Sequence, residues 1–371
     1  MSKLLDKKSW IRILIAVVRE IVVCNLSRGP YRPPEPLPEG GVVDMHCHVN
    51  GIGAGESGCF ISDEFRNDWR YQHYLKSFGV SEQELNEKGD SLVVERLSEM
   101  LTESECVKKA VVVAMDGVYD SDGLLDTNRT QVYVPNDFVA KAVAVERHRN
   151  KLFFGASVNP YRNDWRAQLD LAHANRAVLV KWIPSVMNID PSDPKLIPFY
   201  KKLVELKLPL LTHAGEDQSF PTASDELCDP ERLRLPLKCG VKVIAAHIAS
   251  TGSYHGECST DRLVRMMKEY SNLYSDISSL TQVNKLGYMK KALSPKKFEG
   301  RLFYGSDFPL INIKLPLINA WLVSPRYYFV RFTHKQRKAI SSLKNRWDVD
   351  VRIKQELGTP ADVFARSREL L

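Results

Sequence analysis

His46 and His48 stand two residues apart at the end of an apolar run, Val42-Val43-Asp44-Met45-His46-Cys47-His48. In an extended strand, residues i and i+2 face the same side. Both imidazoles therefore project together, as two ligands of one metal ion must. Chance can also space two histidines this way, so the pair alone decides nothing. Four later apolar runs end in further ligand types: Ala177–Val180 leads to Lys181, Leu208–Thr212 to His213, Val241–Ala246 to His247, and Leu302–Ser306 to Asp307. Each has the length and composition of a buried strand followed by loop chemistry. Polar residues at the carboxyl ends of successive strands are where a (β/α)₈ barrel keeps its active site.

Neutral imidazole and carboxylate are ligands for Zn²⁺ and related divalent ions. His46, His48 and Asp307 would hold one ion from one side of the barrel mouth, with His213 and His247 across it. Such an ion lowers the pKa of a bound water from about 15.7 toward about 7. Asp307 could take a proton from that water and return it to a leaving group. Asp307 and His247 are the expected catalytic residues.

The ordered set of HxH, lysine, two histidines and aspartate resembles the amidohydrolase superfamily, and within it the amidohydrolase-2 branch, over about residues 42 to 310. The resemblance implies a metal-dependent TIM barrel. Such enzymes hydrolyse amide or ester bonds or, in one subgroup, decarboxylate aromatic and related acids without oxidation. In binuclear members of the family the lysine ending strand four is carboxylated by CO₂ and bridges two ions. The resemblance gives that role to Lys181, with His213 and His247 on the second ion. An unmodified ammonium would repel a metal, since lysine titrates near 10.4. The alternative is one ion, with Lys181 as a free amine that binds a substrate carboxylate or the barrel rim. Three functions are thus in contention: a hydrolase of an amide, ester or lactone bond, a non-oxidative decarboxylase, and a non-catalytic barrel scaffold. Lys181 favours the first, and no ligand is missing to suggest the third.

Five further residues are candidates for substrate contact. Arg162, just past strand three, could clamp a carboxylate through two parallel hydrogen bonds or form a structural ion pair. Asp116 and Tyr119 follow strand two. Glu216 follows His213 by three residues and could orient a ligand or cap a helix, and His255 lies on a loop of the same face. His73, His148, His173 and His334 fall on predicted helices and read as surface or packing residues. Cys47, between the two histidines, points to the opposite face and reads as a small core residue.

The elements that must position these groups follow a βα period. The fold expected is α/β, a (β/α)₈ TIM barrel with an N-terminal helix, a helical insertion after strand one and a helical C-terminal extension. Residues 1–41 are an N-terminal helix and a Pro-rich linker, and residues 42–371 are a single barrel domain. The insertion, about residues 62–103, is long for a βα loop and should cap the pocket. Strands two, three and seven are Ala110–Ala114, Leu152–Val158 and Leu273–Ile277. Asn136 or Asp137 should cap the helix after the 117–135 loop, and another helix is expected over 194–206.

Composition is that of a globular protein, with 371 residues of which 44% are hydrophobic and 26% charged. Seven cysteines without paired spacing argue against a disulfide framework and for a reducing, cytoplasmic setting. Of the net charge of +7, residues 1–40 carry +3 and residues 325–371 carry +6, so the stretch between is slightly acidic. No aromatic-interleaved basic stripe or nucleic-acid-binding module is present, and the basic C-terminal region reads as solvated. The apolar run Trp10–Val23 is too short and too charged to span a bilayer and lacks a signal-peptide cleavage pattern. As a helix it suits packing on the barrel or on a second copy of the chain, with membrane-surface anchoring as the weaker reading. The expected ligands are a small-molecule substrate and Zn²⁺ or another divalent ion.

Overall fold

The computed structural model describes residues 34–217, 219–220, 223–282, 285, 287–294, 297–310, 338 and 340–371. The helix expected over residues 10–23, and His334, lie outside them. Eight strands run parallel in a mixed α/β fold: β1 Val42–His48, β2 Val107–Val113, β3 Leu152–Gly155, β4 Val180–Trp182, β5 Leu210–Thr212, β6 Val243–Ala245, β7 Leu273–Asp276 and β8 Leu302–Phe303. They form a three-stranded sheet, β1-β2-β3, and a five-stranded sheet, β4 through β8 in chain order. Backbone hydrogen bonds link the sheets at both seams. Ala156 N donates to Leu179 O at 2.9 Å and Lys181 N to Ala156 O at 2.7 Å. On the other side Asp307 N donates to His46 O at 2.9 Å and His48 N to Phe308 O at 2.7 Å.

The period-two pattern of the strands separates two apolar layers. Met45, Val111, Val113, Leu179, Leu211, Ile244 and Phe303 pack into one small cluster. Alternate residues, among them Ala110, Val112, Val180, Leu210, Val243 and Leu302, join the larger core beneath the helices. The β1–β2 register shifts between Asp44 and Cys47. A bulge of this kind re-aims side chains; Met45 stays in the small cluster while Cys47 joins the larger core. Asp307 and the stretch His247–Ala249 adopt left-handed backbone angles, a costly geometry for residues with a Cβ.

The insertion after β1 is helical as expected. Its helices include α1 Trp69–Phe78 and α2 Ser91–Glu103. Asp68 caps the start of α1 through Arg70 N, and left-handed Gly79 closes it. Phe78 of α1 packs edge-on against Phe308, with centroids 5.3 Å apart, so the insertion lies against the loop that carries Asp307.

Several expectations need correction. Lys181 lies inside β4 and does not follow it. Pro135, not Asn136, precedes the helix Asn136–Ala144, and the Asn136 amide instead pairs with the backbone of Ser157 at 2.8 Å. His148 is buried outside any helix, with Nδ1 2.8 Å from Ser98 Oγ. The basic C-terminal region is not wholly solvated, because α3, Arg346–Glu356, buries Trp347, Asp348, Asp350 and Lys354. The six described cysteines are free thiols. No described helix is long and apolar enough to cross a membrane.

Candidate metal centre

The sequence-predicted ligands, contributed by five of the eight strands and the residues that follow them, lie close together. His46 Nε2 and His48 Nε2 are 3.1 Å apart. Asp307 Oδ1 is 3.5 Å from the first and 3.4 Å from the second. His247 Nε2 lies 3.8 Å from Asp307 Oδ2, and its ring stacks on His46 at a centroid distance of 5.3 Å. The Lys181 ammonium reaches His46 Nε2 at 2.8 Å. His213 stands one ring further out, edge-on to His247 at 5.2 Å, with Nε2 3.8 Å from Asp217 Oδ2.

The donor set fits a divalent ion. Two imidazole nitrogens and a carboxylate oxygen form a triangle with sides of 3.1, 3.4 and 3.5 Å. Ligands at 2.0–2.1 Å from a tetrahedral zinc are separated by about 3.4 Å. Protonation states agree with ligation. Burial lowers His48 to about 4 and His213 to about 4, so both rings are neutral at pH 7. Burial works to raise the Asp307 carboxyl, but His247, the bond to His48 and His46 outweigh it and hold it well below the usual range. Burial brings Lys181 down to about 8, against the pull of Asp307 and Asp276.

Asp276, at the end of β7, supports the cluster and was not singled out from the sequence. Its Oδ2 accepts from His46 Nδ1 at 2.9 Å, which directs the lone pair of His46 Nε2 toward Asp307 and His48. Its Oδ1 accepts from His247 N at 2.7 Å and from Ser278 N and Oγ at 3.1 and 2.5 Å. His46, His247 and Asp276 also form a compact group of three ligand types. In that group the imidazole Nδ1 atoms already have partners in Asp276, Ser278 and Ser279. The Nε2 side of His46 is therefore the better cradle. A carboxylate behind a ligating histidine is the usual way its tautomer is fixed. The signal that could have revealed Asp276 is simple: it ends its strand in a polar group, as the other ligand strands do.

Asp44 is a second residue the sequence reading passed over. It is fully buried and ties β1 to the β8 loop. Oδ1 accepts from His46 N and Ser306 N at 3.1 and 2.9 Å, and Oδ2 accepts from Trp347 Nε1 at 2.7 Å and from Ser306 Oγ. On α3, Lys354 donates to Gly305 O at 3.0 Å and pairs with Asp350 at 2.7 Å, with both side chains fully buried.

The substrate-contact candidates divide into two groups. Arg162, Asp116 and Tyr119 meet one another. Arg162 Nη1 donates to Asp116 Oδ2 at 3.0 Å and Nε to Asp164 Oδ1 at 2.5 Å. Tyr119 Oη donates to Asp116 Oδ1 at 2.8 Å. Asp116 also accepts from Gly117 N and Asn159 N, so its four acceptor positions are filled. Glu216 and His255 are exposed, the latter in the turn between the short antiparallel strands Ser253–Tyr254 and Glu257–Cys258.

Comparison with known proteins places the chain. No curated protein matches it. Among solved structures, one similar chain is N-isopropylammelide isopropylaminohydrolase from Burkholderia multivorans, 15% identical over 89% of this chain and 74% of that one, with a TM-score of 0.46. Another is the IDCase of Metarhizium anisopliae, 12% identical over 90% and 99%, TM-score 0.45. A third is 5-carboxyvanillate decarboxylase from Novosphingobium aromaticivorans, crystallised with manganese and a nitrobenzoic acid ligand, 12% identical over 91% and 100%, TM-score 0.45. The family model described as amidohydrolase matches residues 43–317, about three quarters of the sequence and every residue of the cluster above. The chain belongs to the amidohydrolase family, in its amidohydrolase-2 branch.

Proposed function

We propose that this protein is a metal-dependent hydrolase that cleaves an amide, ester or lactone bond of a small substrate. Its site would lie at the mouth of a (β/α)₈ barrel formed by the eight parallel strands. The observation that carries the reading is the triangle of His46 Nε2, His48 Nε2 and Asp307 Oδ1, with the Lys181 amine 2.8 Å from its first corner. His46, His48 and Asp307 would hold one ion, and a carboxylated Lys181 with His213 and His247 would extend the site to a second.

A divalent ion bound there supplies Lewis acidity toward a carbonyl oxygen and toward water. The chain supplies the rest. Asp307, held ionised by its histidine neighbours, accepts the proton that water must lose and can return it to the leaving group. Asp276 keeps His46 in the tautomer that presents Nε2. Phe78 and Trp347 pack on Phe308, the latter ring stacked at 4.8 Å, and shield the Asp307 loop from bulk water.

A second reading, non-oxidative decarboxylation at a single ion, draws on the position of His213. It belongs to neither compact three-ligand group among the described residues, and its nearest carboxylate is Asp217 at 3.8 Å. Metal analysis of the purified protein during a bicarbonate titration separates the readings. Two ions per chain, with the second dependent on bicarbonate, support the bridged hydrolase. One ion regardless of bicarbonate favours the decarboxylase, and a chain that binds no divalent ion refutes both.

A further inference from the structure

The loop after β7 carries a buried lysine that the centre described above does not use. Lys285 is 8% exposed. Its Nζ donates to Ser279 Oγ at 2.7 Å, and that hydroxyl lies 3.1 Å from His247 Nδ1. An ammonium has three donors, and a neutral hydroxyl takes one of them.

Three carboxylates are near enough for Lys285 to feel their charge: Asp307, Asp217 and Asp276. None pairs with it, because their oxygens are engaged elsewhere. Asp276 serves His46, His247 N and Ser278. Asp307 faces His46, His48 and His247. Asp217 Oδ1 accepts from Ser219 N and Phe220 N, and its Oδ2 faces His213. Close by, His213 Nε2 is buried without a hydrogen-bond partner, near enough that the Lys285 charge helps lower its pKa.

Burial works against the charged form of Lys285, with the three carboxylates opposing it, and a buried ammonium whose hydrogen-bond partner among the described residues is a neutral hydroxyl is costly. An anionic group arriving with a ligand would complete it. We propose that Lys285 anchors a carboxylate of the substrate, so that this site takes small carboxylate-bearing molecules; the inference rests on the metal-centre reading above. Lys285 is then a specificity-determining residue, placed on the Nδ1 side of His247 and away from the ligand triangle.

The test uses the full-length, metal-loaded protein, its K285M and K285R variants, and two probes of matched shape, benzoate and benzamide. Binding is measured by calorimetry and metal content is measured on the same samples. Loss of one charge-assisted hydrogen bond predicts a benzoate Kd about 10- to 100-fold weaker in K285M. Benzamide binding and metal content should not change, and K285R, which keeps the charge, should stay nearer to wild type. Benzoate binding to K285M as tightly as to wild type overturns the proposal. So does K285M losing metal in step with benzoate, since Lys285 would then support the centre and not a ligand. Should K285M fail to fold, wild type and K285R decide: benzoate no tighter than benzamide in both overturns it, and a preference for benzoate in both supports it. A wild-type chain that binds no metal refutes the metal-centre reading instead, and is visible separately in the metal content.

Discussion

Asp276→Asn changes one atom and should separate metal binding from folding. The carboxylate accepts four hydrogen bonds, three at Oδ1 from His247 N, Ser278 N and Ser278 Oγ, and one at Oδ2 from His46 Nδ1. Asparagine can keep the first three with its carbonyl oxygen. Its amide nitrogen then faces His46 Nδ1 as a donor, which drives the imidazole proton to Nε2, where a metal would have to bind. The scaffold is thus nearly preserved while the ligand tautomer is inverted. Loss of such a supporting carboxylate costs about 10- to 100-fold in metal affinity, or about 1.4–2.8 kcal/mol. Competition against a chromophoric chelator at neutral pH reads this directly, with a urea melt of the metal-free protein as the control for folding. An Asp276→Asn protein that binds metal as tightly as wild type would refute the assignment of Asp276 as the group that fixes His46.

Two further outcomes follow from the buried charges. In the metal-free protein, His48 and His213 titrate at about 4 when folded, against 6.5 for the free side chain. Above pH 6.5 they are neutral in both states and contribute no pH dependence. Between 6.5 and 4 only the unfolded chain takes up their protons, so stability should fall as pH drops through that window; a urea midpoint flat across it would contradict this. Lys354→Met leaves Asp350 buried without its cation, which should cost about 3–5 kcal/mol in denaturant melts, and a loss below about 1 kcal/mol would mean that Tyr304 and Thr281 alone satisfy that carboxylate.

What could be read from the sequence was whatever local periodicity records. The HxH pair and the polar residues that follow the later strands are visible because each comes after a short apolar run, and that spacing pointed to the cluster. The insertion was read as helical too, and the Ser81/Glu84 capping box that the structure shows within it is a local signal of the same kind, although the sequence reading did not use it. Partnership was not visible. Asp276 looks like any strand-terminal aspartate until His46, 230 positions away, is placed against it. Arg162 read equally as a substrate clamp or as half of a structural ion pair, and only the fold supplies Asp116 and Asp164 as its partners. Asp350 and Lys354 have the i,i+4 spacing of an ordinary surface pair, and only their contacts with Tyr304 and Gly305, just past β8, show that they lie in the interior. Burial of a charged helix depends on tertiary contacts, which composition does not encode.

The link from Trp347 Nε1 to Asp44 Oδ2 spans 303 residues, and it sets an order of events during biosynthesis. At about 5–20 residues per second, the tryptophan emerges about 15–60 s after the aspartate it secures. For most of that interval β1 lacks the β8 seam made by Asp307 and Phe308, and for all of it β1 lacks the α3 anchor. Until then the edge of β1 opposite β2 waits for partners encoded more than 250 residues later. A lesion in α3 should consequently show in the cell as low yield of soluble protein before it shows as altered turnover.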